Sequence, residues 1–318
     1  MAPSRGHSLA GVAVALLMCS GCSLRTYAVN MVGDALASGD SVYETDDDIE
    51  LVGAALPFGL KLTESLLAQS PHHEGLLLTA CRGYVLYSYA YVSHAAEQIA
   101  DEDIDRAREV RRRARRLYER AVRHGFHALE RSYPGLEQKL IENPSSALAD
   151  VTPKRAARDV PTLYWTAAAL GLAISASKDD AAMLARLPEV DALLDRALAL
   201  DEDWEDGALH EFKVVLAGTR PGTAPDRAAI DRHYQRALQL SKGASAGLFV
   251  SYAETVAVPA QDRPLFESML EKALAVDPEK QPRERLITAL AHRRARWLQG
   301  RADDLFTSHA ARPSGGGR

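Results

Sequence analysis

The sequence predicts an all-α chain of stacked helical hairpins, with about a dozen helices in all. Three observations carry this. Apolar residues recur at steps of three and four almost everywhere beyond Leu51. No segment shows strict apolar/polar alternation closed by a hairpin turn. A short phrase also returns at nearly constant spacing: Arg196-Ala-Leu-Ala-Leu-Asp201, Arg236-Ala-Leu-Gln-Leu-Ser241 and Lys272-Ala-Leu-Ala-Val-Asp277.

With 318 residues, 47% of them apolar, the chain is long enough for one large domain or two small ones. Its 38 Lys and Arg against 43 Asp and Glu leave a net charge of −5, without the basic footprint of a general nucleic-acid binder. Three cysteines are too few for a disulfide scaffold.

Arg5 precedes an apolar run from Leu9 to Cys19. As a helix this run covers about 16 Å, half of a hydrocarbon core of about 30 Å, so it reads as a secretory signal and not as a span. The next residues, Cys19-Ser20-Gly21-Cys22-Ser23, resemble the bacterial lipoprotein signal, although Cys19 stands where that family carries an aliphatic residue. The resemblance implies a signal peptide over 1–21 and a diacylated Cys22 as the new N-terminus. Ser23 in place of Asp implies sorting to the outer membrane. Two or three acyl chains of the palmitate type make anchoring permanent. Residues 22–50 read as a tether with one short helix, Tyr27 to Leu36, and 307–318 as a flexible tail.

The stripe Ile104, Ala107, Val110, Ala114, Leu117, Ala121 predicts a long helix. Acids crowd its start at Asp101, Glu102, Asp103 and Asp105, where the helix dipole favours them. Gly125 is expected to end it in the left-handed conformation, with His124 capping its last carbonyls. The same helix carries a dense arginine run, Arg106 to Arg123, with Glu109 and Arg113 expected to pair at i, i+4. That run reads as a solvated face or, failing that, as a docking surface for an acidic partner or membrane headgroups. Between Pro134 and Pro161 the helical period breaks. Asp159 is expected to cap a helix with Pro161 in its first turn. An irregular link of this length is often where a site is built, and it separates an N-terminal from a C-terminal half.

In the recurring phrase, Ala197, Ala237 and Ala273 lie 40 and 36 residues apart, and an earlier copy, Arg120-Ala121-Val122, precedes Ala197 by 76. A period in the high thirties, with a small residue inside the second helix, is close to the tetratricopeptide repeat. The small residue lets two helices approach, and neighbouring hairpins stack into a solenoid with a concave face. On this reading the solenoid spans 51–306.

The chain also carries Ala55-Leu56-Pro57-Phe58-Gly59-Leu60-Lys61-Leu62, a Tyr-rich helix at Tyr84 to Val92, and Leu117-Tyr118-Glu119-Arg120-Ala121 with His124-Gly125. Pro134-Gly135 and Asp159-Val160-Pro161-Thr162-Leu163-Tyr164-Trp165 follow. With the lipoprotein start, this combination resembles the T component of tripartite ATP-independent periplasmic (TRAP) transporters over roughly Cys22 to Phe306. The resemblance implies a tetratricopeptide-like solenoid on a periplasm-facing lipoprotein. It also implies association with the solute-binding P subunit, a homotrimer, and a pocket for an apolar organic ligand.

Tyr84, Tyr87 and Tyr91 share one helical face, and Tyr164 and Trp165 follow Asp159; all six are candidate ligand contacts. Gly243-Ala-Ser245-Ala-Gly247 fits the hydrolase pattern, but that motif needs a strand before the serine, and a helix over Arg232 to Ser241 precedes it here. Ser175-Ala-Ser-Lys178 lacks its partner phrases. His124 with His127, and His72 with His73, find no third ligand at supportive spacing, so neither a metal nor a cofactor is expected. The expected function is non-catalytic: an outer-membrane lipoprotein that docks a P subunit and holds an apolar ligand. The alternative is a tetratricopeptide lipoprotein of envelope assembly that binds protein segments.

Overall fold

The computed structural model describes residues 29–37, 42–218 and 226–306. The signal peptide, Cys22 and the tail 307–318 lie outside the described residues, as does Tyr27 of the expected first helix. Every regular element among the described residues is helical. The chain runs through α1 (29–37), α2 (Ile49–Leu67), α3 (Glu74–Tyr87), α4 (His94–Ile99), α5 (Ile104–Glu130), α6 (Leu136–Glu142), α7 (Pro144–Ala147) and α8 (Ala156–Ser175). It continues through α9 (Ala181–Leu184), α10 (Leu187–Leu200), α11 (Ala208–Gly218), α12 (Arg227–Leu240), α13 (Ala246–Tyr252), α14 (Arg263–Leu274), α15 (Arg285–Gly300) and α16 (Ala302–Leu305).

The helix starts follow from ordinary capping chemistry. Side chains of Asp103, Asp226, Ser245 and Asp262 each accept the backbone N–H three residues on, at 2.8 to 3.1 Å. The chain divides into two compact units, whose boundaries fall between 52 and 53, at 152–156 within the proline-rich link, and inside α10 between Leu193 and Leu194.

The first unit contains α1, residues 53–151 and residues 157–193. Its centre is the interlock of α3, α5 and α8. Leu76, Leu77 and Ala80 of α3 pack with Leu67 and Ala128. Gly125 does not end α5. The helix runs one further turn to Glu130, because Gly125 lies at the crossing with α8 and α3. A methyl group there would stand 2.5 Å from Thr166 Oγ1 and 3.1 Å from Cys81 Sγ. The left-handed glycine is instead Gly135, at φ +75°, whose N–H is accepted by the Glu130 carboxylate at 2.6 Å. His124, mid-helix, therefore caps nothing. Glu109 pairs with Arg106 at 2.8 Å, and Arg113 donates to the Tyr87 hydroxyl at 3.1 Å, so the expected Glu109–Arg113 pair gives way to these two.

The second unit contains 42–52, 152–156 and the chain from Leu194 onward. Pairs α11–α12, α13–α14 and α14–α15 pack around Leu248, Phe266, Leu270 and Ala295, all completely buried. The repeat alanines sit where the periodic phrase requires them: Ala197, Ala237 and Ala273 are at most 2% exposed, as is Ala121 in the first unit. Asp277 accepts the Glu279 N–H and starts the short 3₁₀ turn Pro278–Lys280, which separates α14 from α15.

The segment Gly243–Gly247 is a turn between α12 and α13. Gly243 takes φ +75°, and the Ser245 hydroxyl caps α13 while donating to Glu211 at 2.9 Å. A serine held in both roles on a helix-to-helix turn has none of the strand-to-helix strain of a nucleophile elbow.

Candidate ligand-binding site

Of the six candidate ligand contacts, Asp159 lines a cavity between α3, α5 and α8 that the other five do not border. The expected cap is displaced: Thr152 precedes the 3₁₀ turn Pro153–Arg155, and α8 continues from it, so Asp159 lies in the first turn of an established helix. There it is 3% exposed and accepts the Tyr133 hydroxyl at 2.5 Å. Pro161 is the sixth residue of α8. Having no N–H, it offers nothing to the Ala157 carbonyl one turn back. The first turns of α8 are thus held by side chains as well: Thr162 donates to the Arg158 carbonyl at 3.1 Å and Thr166 to the Thr162 carbonyl at 2.6 Å.

These turns close a cavity of about 270 Å³ against the start of α3 and the end of α5. Leu78, Ala128, Leu129 and Pro161 supply the apolar wall. The polar wall is Asp159 with Tyr133, and Arg158, which forms an ion pair with Glu74 and donates to Ser132 Oγ at 2.7 Å. An apolar chamber with a few fixed polar groups is the ordinary construction of a small-molecule site.

The tyrosines form a separate system. Tyr84 is buried against Glu64, and burial together with that carboxylate pushes its hydroxyl up to about 12. Its ring stacks on His124 at 6.0 Å, and the Arg120 guanidinium lies 5.3 Å above it. Burial works against the Glu64 charge, but the Lys61 hydrogen bond, the nearby Tyr84 hydroxyl and the Arg120 cation hold its pKa below the ordinary value. Burial also lowers the His124 pKa, opposed by Glu64 at 3.5 Å. Glu64, Arg120 and His124 line a second, more open groove with Leu67, Ala68, Pro71, Leu77 and His127; Tyr84 does not border it.

Tyr87 and Tyr91 stack at 5.8 Å, with Arg113 over Tyr87. Tyr91 fills the space beside Gly53, where a methyl group would stand 2.5 Å from its ring. A π-helical turn at Ser88–Ser93 shifts the phase of this helix, so Tyr89 is exposed while Tyr84 is buried. Tyr164 and Trp165 meet edge to face at 5.1 Å, Arg82 lies over Trp165, and the Cys81 thiol donates to the Trp165 carbonyl at 3.5 Å. None of these five aromatic residues borders the 270 Å³ cavity. Residues that the sequence left unmarked, Tyr133, Glu74 and Arg158, do. Tyr133 and Asp159 are 26 positions apart, and no local pattern joins them.

Residues 45–306 match the TRAP transporter T-component family. The chain belongs to that family. A protein of Treponema pallidum (strain Nichols), described as uncharacterized, is 29% identical over 307 residues, which is 91% of this chain and 94% of the relative. As a T component, the protein is an accessory part of a TRAP transporter system. No described helix is long and apolar enough to cross a membrane.

Proposed function

We propose that this T component is an outer-membrane lipoprotein, acylated at Cys22 and facing the periplasm, that docks the solute-binding P subunit of its transporter. It holds an apolar organic molecule in the cavity between α3, α5 and α8 and performs no chemistry on it. The observation that carries the ligand reading is the cavity itself, apolar on one wall and set with Asp159, Tyr133 and the Arg158–Glu74 pair on the other. The family match supports the transporter reading. The Cys19-Ser20-Gly21-Cys22 motif supports the anchor.

Calorimetric titration of the purified P subunit into the protein tests the docking. Saturable binding at a fixed stoichiometry is the expected result. Absence of heat over micromolar concentrations, with unfolded polypeptide binding in its place, overturns it in favour of an envelope-assembly role. A homotrimer would appear in sedimentation equilibrium of the protein alone as a particle of three chains.

A further inference from the structure

Among the described residues, four exposed arginines of the long helix α5, Arg111, Arg112, Arg116 and Arg123, have no hydrogen bond or ion pair, and the last three share one flank. Their spacing of four and seven residues places them within about 40° of one another around the helix, a single stripe. Other charges on this flank are already matched. Arg108 pairs with Asp105 at 2.9 Å and Arg115 with Glu119 at 2.9 Å, while Arg120 is held by Glu64 at 2.6 Å. On this flank the unmatched charge is therefore that of Arg112, Arg116 and Arg123, on a protein whose net charge is −5.

The stripe also lies close to the place where the chain leaves the fold toward Cys22. In α1, the Asn30 carbonyl meets His73 Nε2 at 3.3 Å, and Asn30 Oδ1 accepts the Ser70 hydroxyl at 2.6 Å. The neighbouring His72 ring lies 3.3 Å from His127. The first turn of α1 is thus seated at the C-terminal end of α5, with Arg123 one helical turn before His127. Six residues, 23–28, separate Cys22 from α1 and reach at most about 20–25 Å. The stripe itself, from Arg112 to Arg123, is about 16 Å long.

We propose that Arg112, Arg116 and Arg123 form a docking face for the anionic phospholipid headgroups of the leaflet that carries the anchor. The face turns the protein onto that surface and fixes its orientation there. The proposal takes its nearness to the bilayer from the lipoprotein reading, whereas its charge argument is independent of acylation. Headgroups are favoured over an acidic protein by the short tether, which keeps this end of α5 beside lipid whatever else is bound.

The test is flotation of the full chain carrying Cys22→Ser, which has no acyl group, with vesicles of phosphatidylcholine alone or of phosphatidylcholine with about 30% phosphatidylglycerol, whose negative surface attracts basic segments. The N-terminal segment, with Arg5 and Arg25, contributes equally to the Cys22→Ser protein and to its triple-arginine variant, so the comparison between these two isolates the stripe. The expected result is an increment on the anionic vesicles that vanishes by about 0.5 M salt, where the screening length is a few ångströms. Replacing all three arginines by alanine lowers that increment roughly a hundredfold, at about fivefold for each cation near the surface. Unchanged helicity verifies that the triple variant folds. Equal binding to both vesicles overturns the proposal and leaves the stripe to an acidic protein. An anionic increment that survives the triple substitution overturns it too, by placing the contact elsewhere. Acylation is read separately, from the mass of the wild-type protein, so the two claims fail independently.

Discussion

The Tyr133 hydroxyl donates to Asp159 Oδ2 at 2.5 Å, which ties the chain just past α5 to the first turn of α8 across the cavity wall. Asp159 is 3% exposed, so this hydrogen bond replaces much of the water its carboxylate gave up on folding.

Tyr133→Phe removes the donor and leaves the carboxylate buried. Hydrogen bonds to charged groups contribute about 1.5–3 kcal/mol, and a loss of that size is expected in urea unfolding. A loss below about 0.5 kcal/mol would mean that water already serves Asp159 and that the wall is open there.

Gly125 tests the interlock of α3, α5 and α8. Gly125→Ala drives a methyl group to 2.5 Å from Thr166 Oγ1, and overpacking of this kind costs about 1–3 kcal/mol. Alanine at Gly300, which has open space beside it, gains helix propensity and serves as the control. Equal unfolding midpoints for the two variants would contradict the close crossing.

A pH dependence resides in the second unit. Burial, then the charges of Asp206, Glu211 and Glu205, push Glu284 up to about 7. A carboxyl group with a raised folded pKa contributes stability that is whole below its unfolded value near 4.5 and is lost as pH climbs through 7. Glu284→Gln is therefore expected to stabilise the protein by about 1–2 kcal/mol at pH 8, after allowance for solvent screening, and to change little at pH 4.5. Paired denaturant curves at the two pH values check this; a benefit equal at both would show that Glu284 does not titrate in between.

Much of the fold was legible because helical chemistry is local. The 3.6-residue stripe and the acids at its start marked α5, and the alanines of the repeat marked the close contacts inside the hairpins. The errors arose where a long-range contact overruled a local signal. Gly125 reads as a helix end, yet its missing side chain is used to admit α8. Asp159 before Pro161 reads as a cap, yet the helix was already under way from the 3₁₀ turn at Pro153. The site divides in the same manner: Asp159 stood out as an acid beside a proline, while Tyr133, Glu74 and Arg158 join it only through tertiary packing. Aromatic clustering was the misleading cue, because Tyr87, Tyr91 and Trp165 spend their faces on arginines, glycines and one another.

Native mass spectrometry of the protein released from detergent, beside a Leu78→Trp variant whose indole fills the chamber, tests most directly that the protein is an anchored receptor without chemistry of its own. The account predicts a chain beginning at Cys22 that carries acyl groups and retains a small organic molecule, with the acyl groups kept and the small molecule lost in Leu78→Trp. A mature chain without retained mass in either protein, or the same adduct in both, would contradict it.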